Sequence, residues 1–263
     1  MTKLKFNKAI AFTTLFAILE AALWITAPTI GVPSDKYFLF SSVALAFIFA
    51  AALFIDTARK NLSSPSFKPT LSHALGCGRA MQFTALLFTL FADYLLILKD
   101  GERKTLAMVF FLIAQMAYAM KTLRFATSEK ERRLHTVSRL SLSFIGAVVT
   151  LLVLGKDCEA LFVISVIYYI NLIISMVVAF IHSRSGEALI TGIGLLLFAL
   201  CDISIGFYFL IDIFSLGTGD FIYDFITSVP SFVYIFYPPS QAVLTISALF
   251  TADFDVKCKC QLS

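Results

Sequence analysis

The hydrophobic and polar positions of this chain divide it into eight long apolar segments separated by short polar ones. Each segment contains about 20 mostly apolar residues, which is the length that a helix needs to cross a bilayer. Backbone groups in lipid must form hydrogen bonds within their own segment, so spanning segments this apolar are helices. The predicted spans are 8–28, 37–57, 77–98, 104–124, 137–155, 159–181, 187–211 and 229–250.

Composition places the whole chain in the membrane. Hydrophobic residues make up 59% of the 263 residues and charged residues 14%, against about 25% charged residues in soluble domains. The fold class predicted is therefore all-α, a polytopic integral membrane bundle of about eight transmembrane helices that forms a single domain over residues 1–263. The net charge of +4 does not indicate nucleic-acid binding, because the basic residues stand in short connections between apolar segments. The expected partners are membrane lipids.

The distribution of basic residues predicts the orientation of the bundle. With eight spans, one side of the membrane receives both termini and every second connection, and 16 of the 21 lysines and arginines fall on that side. An excess of Lys and Arg marks cytoplasmic connections. We therefore expect both termini in the cytoplasm of a multi-pass protein, in a bacterial plasma membrane.

Two aspartates interrupt the apolar segments. Asp93 lies in the third span, in Phe91-Ala-Asp-Tyr-Leu-Leu-Ile-Leu98, and Asp202 lies in the seventh span, in Leu200-Cys-Asp-Ile-Ser-Ile205. A charge inside the bilayer is costly unless it is paired, hydrated or neutralised, so such residues mark functional sites. Both spans run outward from the cytoplasm, and both aspartates come past the midpoint. We expect the two carboxyl groups at similar depth, in the outer half of the membrane.

The helices that follow the two aspartate helices carry further polar side chains. Gln115 and Tyr118 lie in the fourth span, and Tyr237 and Gln241 lie in the eighth. Two carboxyl groups in a poorly hydrated site can divide the roles of acid and base. The amides and phenols would then position the carboxyl groups, the substrate and a water molecule. The alternatives are a proton relay in a transporter or lipid-binding protein, and a structural role in which each aspartate joins neighbouring helices by a hydrogen bond.

Other polar features of the sequence point to no metal site and no cofactor. The three histidines, His73, His135 and His182, fall near cytoplasmic connections beside basic residues and are expected to be solvated. The adjacent Pro238 and Pro239 remove two amide donors and predict a break in the last span. Five cysteines show no paired arrangement; they are Cys77, Cys158, Cys201, Cys258 and Cys260.

Several short motifs, in order along the chain, resemble the YhhN-like lysoplasmalogenase family of integral membrane proteins. They are the aspartate of the third span, Phe-Phe-Leu-Ile-Ala-Gln-Met-Ala-Tyr over 110–118, Gly-x-x-Leu-Phe-x-x-Cys-Asp over 194–202, and Tyr-Pro-Pro-Ser-Gln over 237–241. Three positions depart from the pattern of many members. Ala92 replaces a glycine, Gln115 replaces a histidine, and Cys201 replaces a serine.

The resemblance implies a substrate and a reaction. Members of this family hydrolyse the vinyl-ether bond of lysoplasmalogens to a fatty aldehyde and glycerophosphocholine or glycerophosphoethanolamine. It implies that Asp93 and Asp202 are the catalytic pair, that the polar residues of spans four and eight bind substrate, and that the partner is a lysophospholipid entering from the bilayer. The departures place the identity of the lipid, rather than the hydrolysis, in question.

Overall fold

A computed structural model shows a bundle of helices. It describes residues 3–26, 34–62, 78–99, 103–214, 217–221, 223–224 and 232–251. Within these ranges there are eight α-helices and no strand, which confirms the all-α fold class. The helices are α1 (Lys3–Thr26), α2 (Ser34–Leu62), α3 (Gly78–Asp93), α4 (Lys104–Leu123), α5 (Glu129–Leu154), α6 (Ala160–Ile181), α7 (Gly186–Phe214) and α8 (Phe232–Phe250).

Seven of these helices, α2 to α8, are long and apolar enough to cross a membrane, α3 together with the turn that follows it. The chain is therefore an integral multi-pass membrane protein. The apolar part of α1 is shorter, Ile10–Leu19, because lysines precede it and Glu20 follows it. That α1 also spans the membrane, and that both termini are cytoplasmic, stay predictions.

Helix α5 begins earlier than the sequence pattern predicts. The predicted span starts at residue 137, whereas α5 starts at Glu129. The reason is local: the Ser128 side chain accepts a hydrogen bond from the amide of Glu131 at 3.2 Å, as an N-cap does. The charged segment after Ser128 is thus the first turn of a helix rather than a loop.

Helix α8 continues through Pro238 and Pro239, so the predicted break is wrong. The two missing amide donors leave the helical ladder incomplete over one turn, yet the helix keeps its course to Phe250. Pro28, Pro33, His73, Cys77, Cys258 and Cys260, and parts of the polar connections discussed above, lie outside the described residues.

Six helices form a closed ring. In order around the ring they are α2, α3, α4, α6, α7 and α8, and α8 packs back against α2. Helix α1 lies outside the ring against α8 and α2, and α5 lies outside against α6. The ring helices close around buried side chains such as Leu86, Leu172, Leu195 and Leu244. All six residues singled out by their sequence are on ring helices.

Candidate active site

Asp93 is the last residue of α3 and points into the ring. Its side chain is 3% exposed, and its carboxylate accepts a hydrogen bond from the hydroxyl of Tyr237 on α8. Directly after it, residues Tyr94–Leu98 form a π-helical turn, closed by the amide of Lys99 donating to the Tyr94 carbonyl at 3.2 Å. Single π turns inside helices often accompany functional sites.

Asp202 lies on α7 and is half-buried. Its carboxylate accepts a hydrogen bond from the hydroxyl of Tyr168 on α6. Tyr168 is 4% exposed, and Cys201, which precedes the aspartate, is 1% exposed. Each aspartate therefore has one buried phenol as its hydrogen-bond donor.

The two Asp–Tyr pairs belong to one cluster. Asp93 and Asp202 lie within electrostatic range of each other, and Tyr168 lies within that range of Tyr237. A row of aromatic rings joins the two phenols. The centroid distances along this row are 5.8 Å from Tyr168 to Phe111, 6.3 Å from Phe111 to Phe198 and 5.9 Å from Phe198 to Tyr237.

The matched depth of the two aspartates follows from their positions along their helices. Asp93 lies 15 residues after Gly78, where α3 starts, and Asp202 lies 16 residues after Gly186, where α7 starts. At 1.5 Å per residue, the axial distances are about 22 and 24 Å. The electrostatic coupling of the two carboxylates agrees with that similar depth.

The tyrosine partners differ from the order along the chain. The sequence pattern suggests that each aspartate helix works with the helix that follows it. In the structure the donor to Asp93 comes from α8, and the donor to Asp202 comes from α6, the preceding helix. Sequence reasoning did not single out Tyr168. The available signal was its place with Asn171 and Ser175 on one buried face of a helix that is otherwise apolar.

Gln115 and Gln241 are completely buried in the ring. Both amide atoms of Gln115 and Oε1 of Gln241 lack a hydrogen-bond partner, while Nε2 of Gln241 donates to the Ser240 hydroxyl at 3.2 Å. A buried polar atom without a partner costs about 1–3 kcal/mol, so these amides suit contact with water or a ligand. Gln241 comes four residues after Tyr237, about 6 Å along α8. Substrate binding by both residues stays a prediction.

Tyr118 lies in a different layer of the ring. Its hydroxyl accepts a hydrogen bond from Nε2 of Gln82 at 3.3 Å. Gln82 precedes Asp93 by 11 residues on α3, which is about 16 Å along the helix axis. The structure therefore does not bring Tyr118 to the aspartate pair, and its predicted contact with substrate stays a prediction.

The two described histidines are not solvated loop residues, as the sequence pattern predicts. His182 Nε2 lies 2.8 Å from Glu131 Oε1, and His135 Nε2 lies 3.7 Å from the same oxygen, with each histidine side chain 13% exposed. They connect the first turns of α5 with the end of α6. Within the part of the chain that the structure describes, no group of three His, Cys, Asp or Glu side chains has the geometry of a metal site.

Comparison with known proteins gives one match. Neither the curated proteins nor the solved structures contain a match to this chain. A family model, by contrast, matches residues 37–247, which include both aspartates and all five ring helices that carry polar side chains of the site. Since this match covers most of the 263 residues, the chain belongs to the YhhN family.

Proposed function

We propose that this protein hydrolyses the vinyl-ether bond of lysoplasmalogens, releasing a fatty aldehyde and a glycerophosphodiester. The observation that carries the proposal is the pair of aspartates inside the helix ring, within electrostatic range of each other and each bound by a buried tyrosine. Membership of a family with hydrolase activity supports it. The substrate itself comes from the resemblance described above.

The chemistry requires an acid and a base on opposite steps. One carboxyl group donates a proton to the alkenyl carbon that is not bonded to oxygen, and the adjacent carbon becomes an oxocarbenium ion. The other carboxylate takes a proton from water as the water oxygen bonds to that carbon. The resulting hemiacetal breaks its carbon–oxygen bond to the glycerol, whose oxygen takes a proton, and the aldehyde leaves. Because the two groups interact, both roles belong to the pair rather than to one fixed residue.

The tyrosines and glutamines have distinct roles in this proposal. Tyr168 and Tyr237 hold the carboxylates toward each other and remain neutral donors. The unpartnered amides of Gln115 and Gln241 contact the polar glycerol and phosphate portion of the lysolipid, because they lie toward the polar interior rather than among the apolar side chains. The apolar chain of the substrate would remain among the helix faces that contact lipid.

The proposal is tested with purified protein in lipid nanodiscs and a lysoplasmalogen substrate, with mass spectrometry of the aldehyde and the glycerophosphodiester. We expect Asp93→Asn and Asp202→Asn each to lower the rate by about 100-fold or more, the usual contribution of an acid–base group. The saturated 1-O-alkyl lysolipid should stay intact, since it has no alkenyl carbon to protonate.

Asp220→Asn is the matched control, because Asp220 is exposed and lies in the described segment 217–221, away from the ring. Its activity should equal that of the wild type. Full activity in either intramembrane variant would contradict the proposal, as would the absence of aldehyde with the wild type. Proton-coupled lysolipid uptake without cleavage would favour a transporter.

A further inference from the structure

A second polar site lies at the other end of the ring, where α3 starts and α4 ends. Three basic side chains meet there: Arg79 in the first turn of α3, Lys121 in the last turn of α4, and Arg124 directly after α4. We call these three residues the basic cluster. Lys121 is completely buried. Arg124 is packed against the start of α3, since a Cβ atom built on Gly78 would lie 1.9 Å from its Nη1.

The basic cluster has only neutral hydrogen-bond partners among the described residues. Lys121 Nζ donates to Gln82 Oε1 at 2.8 Å and to the Ser247 hydroxyl at 2.5 Å. An ammonium group has three donors, so one remains for another acceptor. Arg124 Nη1 is buried and has no partner.

Arg79 completes the pattern. Its Nε donates to the Ala248 carbonyl at 3.1 Å and its Nη1 donates to the Thr57 hydroxyl at 2.6 Å. Both acceptors are uncharged. The guanidinium therefore stays in place beside the start of α3 with its positive charge uncompensated by these contacts.

One carboxylate lies nearby, on Glu187 in the first turn of α7. It is within electrostatic range of Lys121, but its Oε1 accepts a hydrogen bond from the Thr251 hydroxyl at 2.9 Å, and no ion pair joins it to the basic cluster within the described ranges. Three positive charges thus face one negative charge in a poorly hydrated place. Uncompensated buried charges cost several kcal/mol each, so an additional anion would stabilise this end of the ring.

We propose that the basic cluster binds a phosphate group, presented either by a lipid head group or by a soluble phosphate. Arginine and lysine together supply the charged donors that phosphate oxygens accept. The amides of the first turn of α3 add the positive end of a helix dipole at the same place. The unpartnered Nη1 of Arg124 and the third donor of Lys121 are the groups available to the ligand.

This site is separate from the substrate subsite of the proposed hydrolase. Lys121 contacts Gln82, about 16 Å along α3 from Asp93. In a lysoplasmalogen the phosphorus is five covalent bonds from the vinyl-ether oxygen, less than about 8 Å at the usual bond lengths. A lysolipid with its ether at the aspartate pair cannot place its phosphate in the basic cluster, and the cluster would repel a choline or ethanolamine cation.

The experiment measures binding, so it does not depend on the proposed activity. Full-length protein in nanodiscs of zwitterionic phosphatidylcholine is unfolded by heat in sodium phosphate and in sodium chloride of equal ionic strength. A second arm compares nanodiscs with and without phosphatidic acid. The variants are Lys121→Met and Arg124→Gln, and Arg133→Gln is the matched control, since Arg133 is an exposed cation on α5.

We expect a phosphate-bearing probe to raise the unfolding temperature of the wild type and of Arg133→Gln. Apparent affinity should fall about tenfold or more in Arg124→Gln, because a hydrogen bond to a charged group is worth about 1.5–3 kcal/mol. A response to sodium phosphate identifies a soluble ligand, and a response to phosphatidic acid alone identifies a lipid head group.

The proposal is overturned if neither probe changes the unfolding temperature of the wild type, or if the variants respond as strongly as the control. Should Lys121→Met fail to fold, Arg124→Gln decides the question, because Arg124 is half-buried at the end of α4 and outside the ring interior.

Discussion

The two intramembrane aspartates share the same local arrangement on different helices. Each carboxylate accepts a hydrogen bond from a phenol of a helix that is not adjacent in the expected order, Tyr237 for Asp93 and Tyr168 for Asp202. A phenol is a neutral donor, so it orients a carboxylate without adding a charge that would have to be buried. The phenols are thus suited to positioning the pair.

Replacing either phenol should lower turnover more than substrate binding. We expect Tyr168→Phe and Tyr237→Phe each to lower kcat about tenfold or more with little change in KM, because a hydrogen bond to a charged group is lost. Steady-state kinetics with lysoplasmalogen give both constants. Tyr169→Phe is the control, since Tyr169 is half-buried beside Tyr168 and packs against the apolar core. A change confined to KM, or an equal loss in the control, would contradict a positioning role.

The sequence was sufficient to predict the aspartates but not their partners. A carboxylate in a long apolar run is costly wherever the run folds, so Asp93 and Asp202 are recognisable from local sequence alone. A tyrosine in such a run buries its ring at little cost and is not anomalous. Tyr168 is therefore identified only by the packing of α6 against α7, which is a property of the tertiary structure.

At the scale of elements, helices α7 and α8 approach each other most closely at Gly194. A Cβ atom at this position would lie 2.7 Å from Cγ and 3.1 Å from the backbone N of Leu244. A side chain here cannot be accommodated by rotation of Leu244 alone, because its backbone is also in the way. Gly194 consequently sets the distance between the helix of Asp202 and the helix of Tyr237.

Gly194→Val should separate these helices. We expect a loss of about 1–3 kcal/mol in stability, the usual cost of overpacking, together with reduced aldehyde release. Thermal unfolding in detergent and the lysoplasmalogen assay measure the two effects. Gly206→Val is the matched control on α7, since a Cβ atom there meets nothing within 4 Å. Equal effects of both substitutions would show that close approach at Gly194 is not the cause.

Helix positions were predictable to different degrees for physical reasons. Hydropathy located α2 to α8, because bilayer thickness requires long apolar helices. It misplaced the start of α5, because the N-cap at Ser128 extends a helix into charged residues outside the apolar part. It also overestimated the effect of Pro238 and Pro239, whose helix is supported on both sides by α2 and α7.

On the scale of the whole molecule, the number of spans determines the sides on which the termini lie. Seven helices have the length and composition to cross the membrane, and an odd number would place the two ends of the chain on opposite sides. The distribution of lysines and arginines instead predicts both ends in the cytoplasm, which requires α1 to be the eighth span.

Reporter fusions to the two ends of the chain resolve this parity. We expect an N-terminal and a C-terminal fusion to report the cytoplasm, with a fusion in the segment 217–221 reporting the opposite side. The measurement is the activity of a reporter that functions on one side of the membrane only. Termini on opposite sides would show that α1 lies along the membrane surface or outside it.

Helix α5 is joined to the ring by a small number of polar contacts. Its one buried residue is Arg139, which donates to the Asn171 carbonyl, the Ser175 hydroxyl and the Thr122 hydroxyl. Apolar side chains elsewhere along it are largely exposed; they include Leu140, Phe144, Leu152 and Val153.

The length of α5 exceeds the hydrophobic thickness of a bilayer. Its 26 residues extend about 39 Å, against about 30 Å of hydrocarbon. Such hydrophobic mismatch is relieved by tilting, and an outer helix attached near its cytoplasmic half can tilt without moving the ring. Membranes of different thickness should therefore change the inclination of α5 while the geometry around Asp93 and Asp202 stays constant.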